Sequence, residues 1–102
     1  MEMKRIREED MFDCVTYVDP NHDPIIHEGE QSATVIVMNA GPCTIELRAW
    51  LQPRGKEEPY VRVKLWPGNA KTVSGNLIRA RSTEEGPSFA SSRFAAIGWR
   101  IV

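Results

Sequence analysis

The chain has 102 residues, the size of one domain, and its 41% hydrophobic and 26% charged residues are ordinary for a folded protein. A formal net charge of −1 argues against a polybasic protein that binds nucleic acid along its whole surface. No apolar run approaches the roughly 18 residues that a membrane span requires.

Residues 1–10 read MEMKRIREED and form a charged segment, which we expect to be flexible or to form a short helix. No apolar stretch follows the positive charges, so the segment does not have the pattern of a secretory signal. The sequence therefore predicts a cytoplasmic protein, or a secreted one if a signal peptide is removed ahead of residue 1.

Residues 11–102 are predicted to form a single domain built from short strands. Alternation with a period of two is clearest in residues 44–51 and 60–66, where every second side chain is apolar. Residues 34–38 are apolar on both faces and predict a central strand. The predicted strands lie within residues 12–18, 24–28, 34–38, 44–51, 60–66, 72–81 and 93–102.

About seven short strands separated by turns are typical of an antiparallel β-sandwich or a small barrel. The turn sequences at residues 39–42 and 67–69 have the rhythm found in many immunoglobulin-like and jelly-roll domains. We therefore predict an all-β protein, a β-sandwich of immunoglobulin-like or jelly-roll type. Gly75 and Asn76 predict a bulge or a tight turn inside one of its strands.

The segments around Leu47 and Val63 are predicted to pair as a hairpin, because apolar side chains must share one face. This register places Arg48 opposite Arg62, which is unfavourable unless an anion or an acidic side chain lies between them. Leu51 is expected on the apolar face. The register also predicts the pairs Ala49 with Val61, Glu46 with Lys64, and Trp50 with Tyr60.

The opposite face of this hairpin is the main candidate binding surface. Aromatic rings stack on sugars and bases, guanidinium groups pair with anions, and both residue types dominate protein–protein hot spots. The alternative interpretation is that the tryptophans face a second sheet and belong to the core. Besides Glu46, the face holds the candidate ligand- or partner-binding residues Arg48, Trp50, Tyr60, Arg62, Lys64 and Trp66.

A second, weaker candidate is a metal site in residues 19–30, because imidazole and carboxylate groups bind zinc, manganese and iron. The alternative is a solvated acidic loop. No histidine follows Glu30, which counts against a metal barrel, and we predict no cofactor. The weak candidate ligands are Asp19, His22, Asp23 and His27.

The cysteines and the catalytic motifs carry little signal. Cys14 and Cys43 do not have zinc-site spacing, so we expect two buried thiols, with a disulfide as the alternative in an oxidising compartment. Neither a nucleophile elbow nor a glycine-rich phosphate loop occurs. Basic residues later in the chain would extend the hairpin face into a positive patch: Lys71, Arg79, Arg81, Arg93 and Arg100.

These observations favour a non-catalytic interaction or structural module. We expect it to bind a protein partner, or a second copy of itself, through the aromatic and basic face of the hairpin. Unpaired strand edges favour self-association. A module that binds carbohydrate or another small polar ligand is the first alternative, and a small metal-dependent enzyme is the second. Nucleic acid is the least favoured partner, because acidic residues dilute the basic patch.

Overall fold

The computed structural model describes residues 14–51, 58–83 and 94–102. These residues form the strands β1 (Cys14–Val18), β2 (Ile25–Pro42), β3 (Ile45–Trp50), β4 (Val61–Leu65), β5 (Ala70–Ser82) and β6 (Ala95–Ile101). All six belong to one sheet of order β1-β6-β2-β5-β3-β4, in which every neighbouring pair is antiparallel. Within these ranges, no helix is long and apolar enough to cross a membrane.

The prediction of an antiparallel all-β protein is confirmed, but the predicted arrangement of its strands needs correction. In place of about seven short strands in a sandwich, the described residues form six strands in one open sheet. The count is lower because predicted strands 24–28 and 34–38 are parts of a single strand, β2. Residues 34–38 do lie in a central strand, as predicted. The charged segment 1–10 lies outside the described residues.

A wide bulge explains why β2 continues through a polar stretch that resembles a strand break. Glu28 pairs with Leu77 and Ala33 pairs with Gly75, so the four residues of β2 between them face only Asn76 of β5. The Asn76 side-chain amide donates hydrogen bonds to the carbonyl groups of two of these residues, at 3.2 and 2.8 Å. The irregularity predicted at Gly75 and Asn76 therefore exists, with its extra residues on the partner strand.

One face of the sheet, here called the inner face, carries the apolar core, and the opposite face is the outer face. The Cα atoms of β1 and β5 approach within 8 Å although β6 and β2 separate them in the sheet, so the sheet curves over its inner face. A single cluster of buried side chains therefore draws on every strand. Its fully buried members include Val18, Val35, Val37, Cys43, Ile45, Leu47, Ile78, Ala80, Ala95 and Ile97.

Asn39 is a fully buried polar residue at the end of this core. Its side-chain amide donates to the carbonyl groups of Cys43 and Leu65, at 2.9 and 2.8 Å, and its side-chain oxygen accepts from the amide of Gly41 at 2.7 Å. These bonds satisfy the backbone of the turn between β2 and β3 and connect that turn to the end of β4. They fix the position of the β3–β4 hairpin relative to the rest of the sheet.

Candidate functional site

The predicted register of the β3–β4 hairpin is confirmed over the length of its ladder. Leu47 pairs with Val63, and the pairs Ala49–Val61 and Glu46–Lys64 also form as predicted. The predicted Trp50–Tyr60 pair is not part of the ladder, since the backbone amide of Tyr60 donates instead to the carbonyl of Ala49, at 3.0 Å. Strand parity nevertheless places five of the seven residues of the predicted binding face on the outer face, and the other two, Tyr60 and Trp66, directly flank β4.

Burial divides this outer face between its two strands. On β3, Glu46 is buried and Trp50 is only 8% exposed. On the β4 side, Tyr60 is 51% exposed and Trp66 is 53% exposed. A binding partner can therefore contact the residues on the β4 side. Trp50 is not accessible to a partner, because other residues of the protein cover it. Leu51, expected on the apolar face, is 63% exposed because it lies beyond the last residue of β3.

Arg48 covers part of Trp50. Its guanidinium carbon lies 5.5 Å from the centroid of the Trp50 ring, within the range of a cation–π contact. Trp50 pairs with Leu77 of β5, and both are buried outside the main core cluster. The alternative interpretation thus holds in part: Trp50 is buried, on the outer face and outside the main cluster, whereas Trp66 is exposed.

The predicted conflict between Arg48 and Arg62 is real, and acidic side chains relieve it. The two arginines are cross-strand partners. Arg48 forms an ion pair with Asp23 at 3.4 Å, and Arg62 forms one with Glu58 at 2.8 Å. Glu46 of β3 also approaches β4, with its carboxylate 3.9 Å from the guanidinium of Arg62. Three acidic residues, Asp23, Glu46 and Glu58, therefore supply the negative charge that this register requires between the two arginines.

Strand β5 adds two more arginines to the outer face. Arg79 pairs with Arg48, and Arg81 pairs with Glu46, so β5 and β4 enclose the outward side chains of β3. Arg81 contacts the Glu46 carboxylate at 2.7 Å, and Arg79 donates to the carbonyl oxygen of Asp23 at 3.1 Å. We call Arg48, Arg62, Arg79 and Arg81 the arginine cluster.

Arg48 is the least exposed ion-paired arginine of this cluster, and both its burial and its charged neighbours affect its pKa. Burial lowers the pKa of the Arg48 guanidinium, and the charges of Arg81 and Arg79 lower that pKa further. Asp23 and Glu46 raise the pKa without cancelling the depression. Burial is therefore the largest cause of the lowered pKa of Arg48, and the neighbouring arginines add to it.

The weak metal candidates are not brought together. Asp19 and His22 close a tight turn through reciprocal backbone hydrogen bonds of 3.2 and 3.0 Å. His27 contacts the carbonyl oxygen of Gln31 at 3.2 Å, and Asp23 pairs with Arg48. Among residues 14–51, 58–83 and 94–102, no three histidine, cysteine or acidic side chains are grouped as metal ligands would be. Asp23 therefore acts as a counter-ion in the structure.

The two cysteines lie in different environments, and both are free thiols. Cys43 is buried as expected, and burial raises the pKa of its thiol. Cys14 was expected to be buried and is exposed, because it begins the edge strand β1. The alternative of a disulfide between them is not observed.

Comparison of the chain with protein-family models, with curated proteins and with solved structures gives no significant match. Sequence reasoning identified four of the exposed residues of the site and noted Arg79 and Arg81 as a positive patch. It did not place Asp23 beside Arg48, because that contact depends on the pairing of distant strands.

Proposed function

We propose that the protein is a non-catalytic interaction module that binds a protein partner along β4. The observation that carries this proposal is the combination of an edge strand and a line of exposed aromatic and basic side chains. In the described part of the chain, β4 has β3 on one side and no strand on the other. Its outward side chains, Arg62 and Lys64, are exposed, and so are Tyr60 and Trp66, which directly precede and follow the strand.

An edge of this kind suits an extended segment of another protein. Added strands gain main-chain hydrogen bonds from the free edge, and side chains of alternate residues supply specificity. Tyr60 and Trp66 flank the strand as aromatic contacts, and the Tyr60 hydroxyl is fixed by a hydrogen bond to the Ser74 carbonyl. Arg62 and Lys64 between them favour a segment with acidic residues. A second copy of the chain is the other occupant that this edge admits.

A carbohydrate ligand is less well supported than a protein segment. The burial of Trp50 removes one of the three aromatic rings expected on the face. The remaining two, Tyr60 and Trp66, lie at opposite ends of β4. Six residue steps of extended chain, or about 20 Å, separate them. Rings that far apart do not stack on the same sugar. A metal-dependent enzyme is disfavoured by the engagement of Asp23 with Arg48.

The first measurement is the mass of the protein in solution, by size-exclusion chromatography with light scattering over a range of concentrations. A dimer that Trp66→Ala converts to monomer would identify the second copy as the occupant of β4. A monomer would direct the search to acidic protein segments, with binding followed through tryptophan fluorescence.

The matched control is Tyr17→Ala, which removes an equally exposed aromatic side chain from the other edge strand, β1. Trp66→Ala is expected to weaken association at least tenfold, as for an interface hot spot, while Tyr17→Ala leaves it unchanged. The proposal is wrong if both folded variants keep the partner and the mass of the unaltered protein.

A further inference from the structure

The arginine cluster contains more cationic groups than its acidic neighbours satisfy. Within the described residues, Arg48, Arg62 and Arg81 contact the carboxylates of Asp23, Glu46 and Glu58, and Arg79 donates to the backbone carbonyl oxygen of Asp23. Among the described residues, the cluster therefore carries one more positive charge than negative charge, in a chain whose formal net charge is −1.

The donors of the cluster are also incompletely used. The Nε atoms of Arg48 and Arg79 are buried and have no hydrogen-bond partner within the described residues. Glu46 Oε1 lies 2.7 Å from Arg81 and 3.9 Å from Arg62. Both contacts are ion pairs, and neither has the geometry of a hydrogen bond, since this buried oxygen lacks a hydrogen-bond partner. Glu46 Oε1 therefore accepts no hydrogen bond from Arg62 or Arg81, and Arg62 donates one to Glu58 at 2.8 Å.

Exposure separates the cluster into an accessible part and a supporting part. The side chains of Arg62 and Arg81 are 49% and 42% exposed and flank the same Glu46 oxygen. The Arg48 side chain is only 13% exposed, and Arg48 is the cross-strand partner of both Arg62 and Arg79. A ligand from solvent would contact Arg62 and Arg81, while Arg48 and Arg79 would add positive potential from beside them.

We propose that Arg62 and Arg81, supported by Arg48 and Arg79, bind a phosphate group. Guanidinium groups present paired N–H donors that match the oxygen atoms of phosphate, and these charge-assisted bonds are strong. A phosphate group has three acceptor oxygens and a charge between −1 and −2 near neutral pH. It can accept hydrogen bonds from both accessible guanidinium groups at once, whereas the Glu46 oxygen between them contacts both groups only as ion pairs. The site does not depend on the partner proposed for β4.

The test is a calorimetric titration of the whole protein with inorganic phosphate at constant ionic strength, repeated with acetate. We expect phosphate to bind with a dissociation constant of about 1 mM, and acetate to bind at least tenfold more weakly. Arg81→Gln should weaken phosphate binding about tenfold, the effect of losing one charge-assisted bond. Arg62→Gln is the second variant, to be used if Arg81→Gln fails to fold by circular dichroism.

Arg100→Gln is the matched control, because Arg100 is an exposed arginine on the distant strand β6. It should bind phosphate as the unaltered protein does. Absence of phosphate binding, equal binding of acetate, or an equal loss in Arg100→Gln would each overturn the proposal. Trp66→Ala should retain phosphate binding, so failure of the phosphate site and failure of the β4 partner site are distinguishable.

Discussion

Strands β3 and β1 belong to the same sheet, and both direct alternate side chains to its outer face. On β3 Glu46 and Trp50 are buried, although Glu46 is charged, and Arg48 is half-buried, whereas on β1 the uncharged Val15 and Tyr17 are well exposed. The difference follows from their neighbours. Arginines of β4 and β5 extend over β3, whereas Val15 and Tyr17 face Gly98 and Ala96, which have almost no side chain to cover them.

This comparison shows that residue type alone does not decide burial in a small sheet. Long charged side chains cover apolar surface with their aliphatic stems while their charged ends stay near water. A strand enclosed by arginines can therefore be buried on both faces. An edge strand beside small residues remains open even when it is apolar.

Thiol reactivity provides the largest expected contrast between an edge strand and the interior. Cys14 should react with a thiol reagent at the rate of an exposed cysteine, whereas Cys43 is buried and burial raises the pKa of its thiol. We expect labelling of Cys43 to be slower by about 1000-fold, as for a group exposed only by partial unfolding. Mass spectrometry over time should show one modified thiol in the native protein and two in denaturant. Equal rates would show that the core is open.

Aromatic truncation on the two strands tests the comparison directly. Trp50→Ala should lower the free energy of unfolding by about 3 kcal/mol, since it empties a covered site on β3. Tyr17→Ala on β1 should change it by less than about 1 kcal/mol, because the ring is already exposed. Urea denaturation of both variants gives the two values. Similar losses would mean that the outer face of β1 is covered as well.

Substitution of Gly75 tests how closely β5 packs against β3. A Cβ atom on Gly75 would lie 2.9 Å from the Trp50 carbonyl oxygen and 3.1 Å from the Ala49 Cβ. Gly75→Ala should therefore force the strands apart, at a cost of about 2 kcal/mol. Gly29→Ala is the control, since its Cβ would meet nothing nearer than 3.5 Å. If thermal unfolding shows the two variants to be equally stable, β3 is not held closely by β5.

Removal of the Glu46 charge on β3 has the smallest expected effect on the free energy of unfolding. Glu46→Gln keeps the shape of the side chain and removes the negative charge that Arg62 and Arg81 share. Because both arginines are partly exposed, solvent limits the loss of stability to about 1 kcal/mol. Glu30→Gln, at an exposed position of β2, should have no effect. A loss for Glu46→Gln that is unchanged in high salt would argue against a charge effect.

Local pattern in the sequence was sufficient for much of the β3–β4 hairpin. Period-two alternation assigned the inner residues Ile45, Leu47 and Ala49 correctly, and matching apolar faces predicted the register. The same pattern failed for the long strand β2, whose polar residues 29–32 look like a turn. That stretch is part of the strand because Asn76, far away in sequence, binds its carbonyl groups.

The candidate site was predictable only in part for the same reason. Alternation identified which side chains of the hairpin point outward, but not which of them are covered. Whether a side chain of β3 is covered depends on Arg79 and Arg81, which the pairing of β5 with β3 places beside it. It also depends on the contact of Asp23 with Arg48. These are contacts between distant segments, and no local sequence pattern specifies strand order.

The position of β6 has a consequence for how the chain reaches its fold during synthesis. β6 lies between β1 and β2, although β1 is the first of the six strands to be translated and β6 is the last. In the described sheet, β1 pairs only with β6, through contacts such as Cys14 with Trp99. Contacts between residues so far apart in sequence make folding slow. On the ribosome, β1 would remain without its strand partner until β6 emerged.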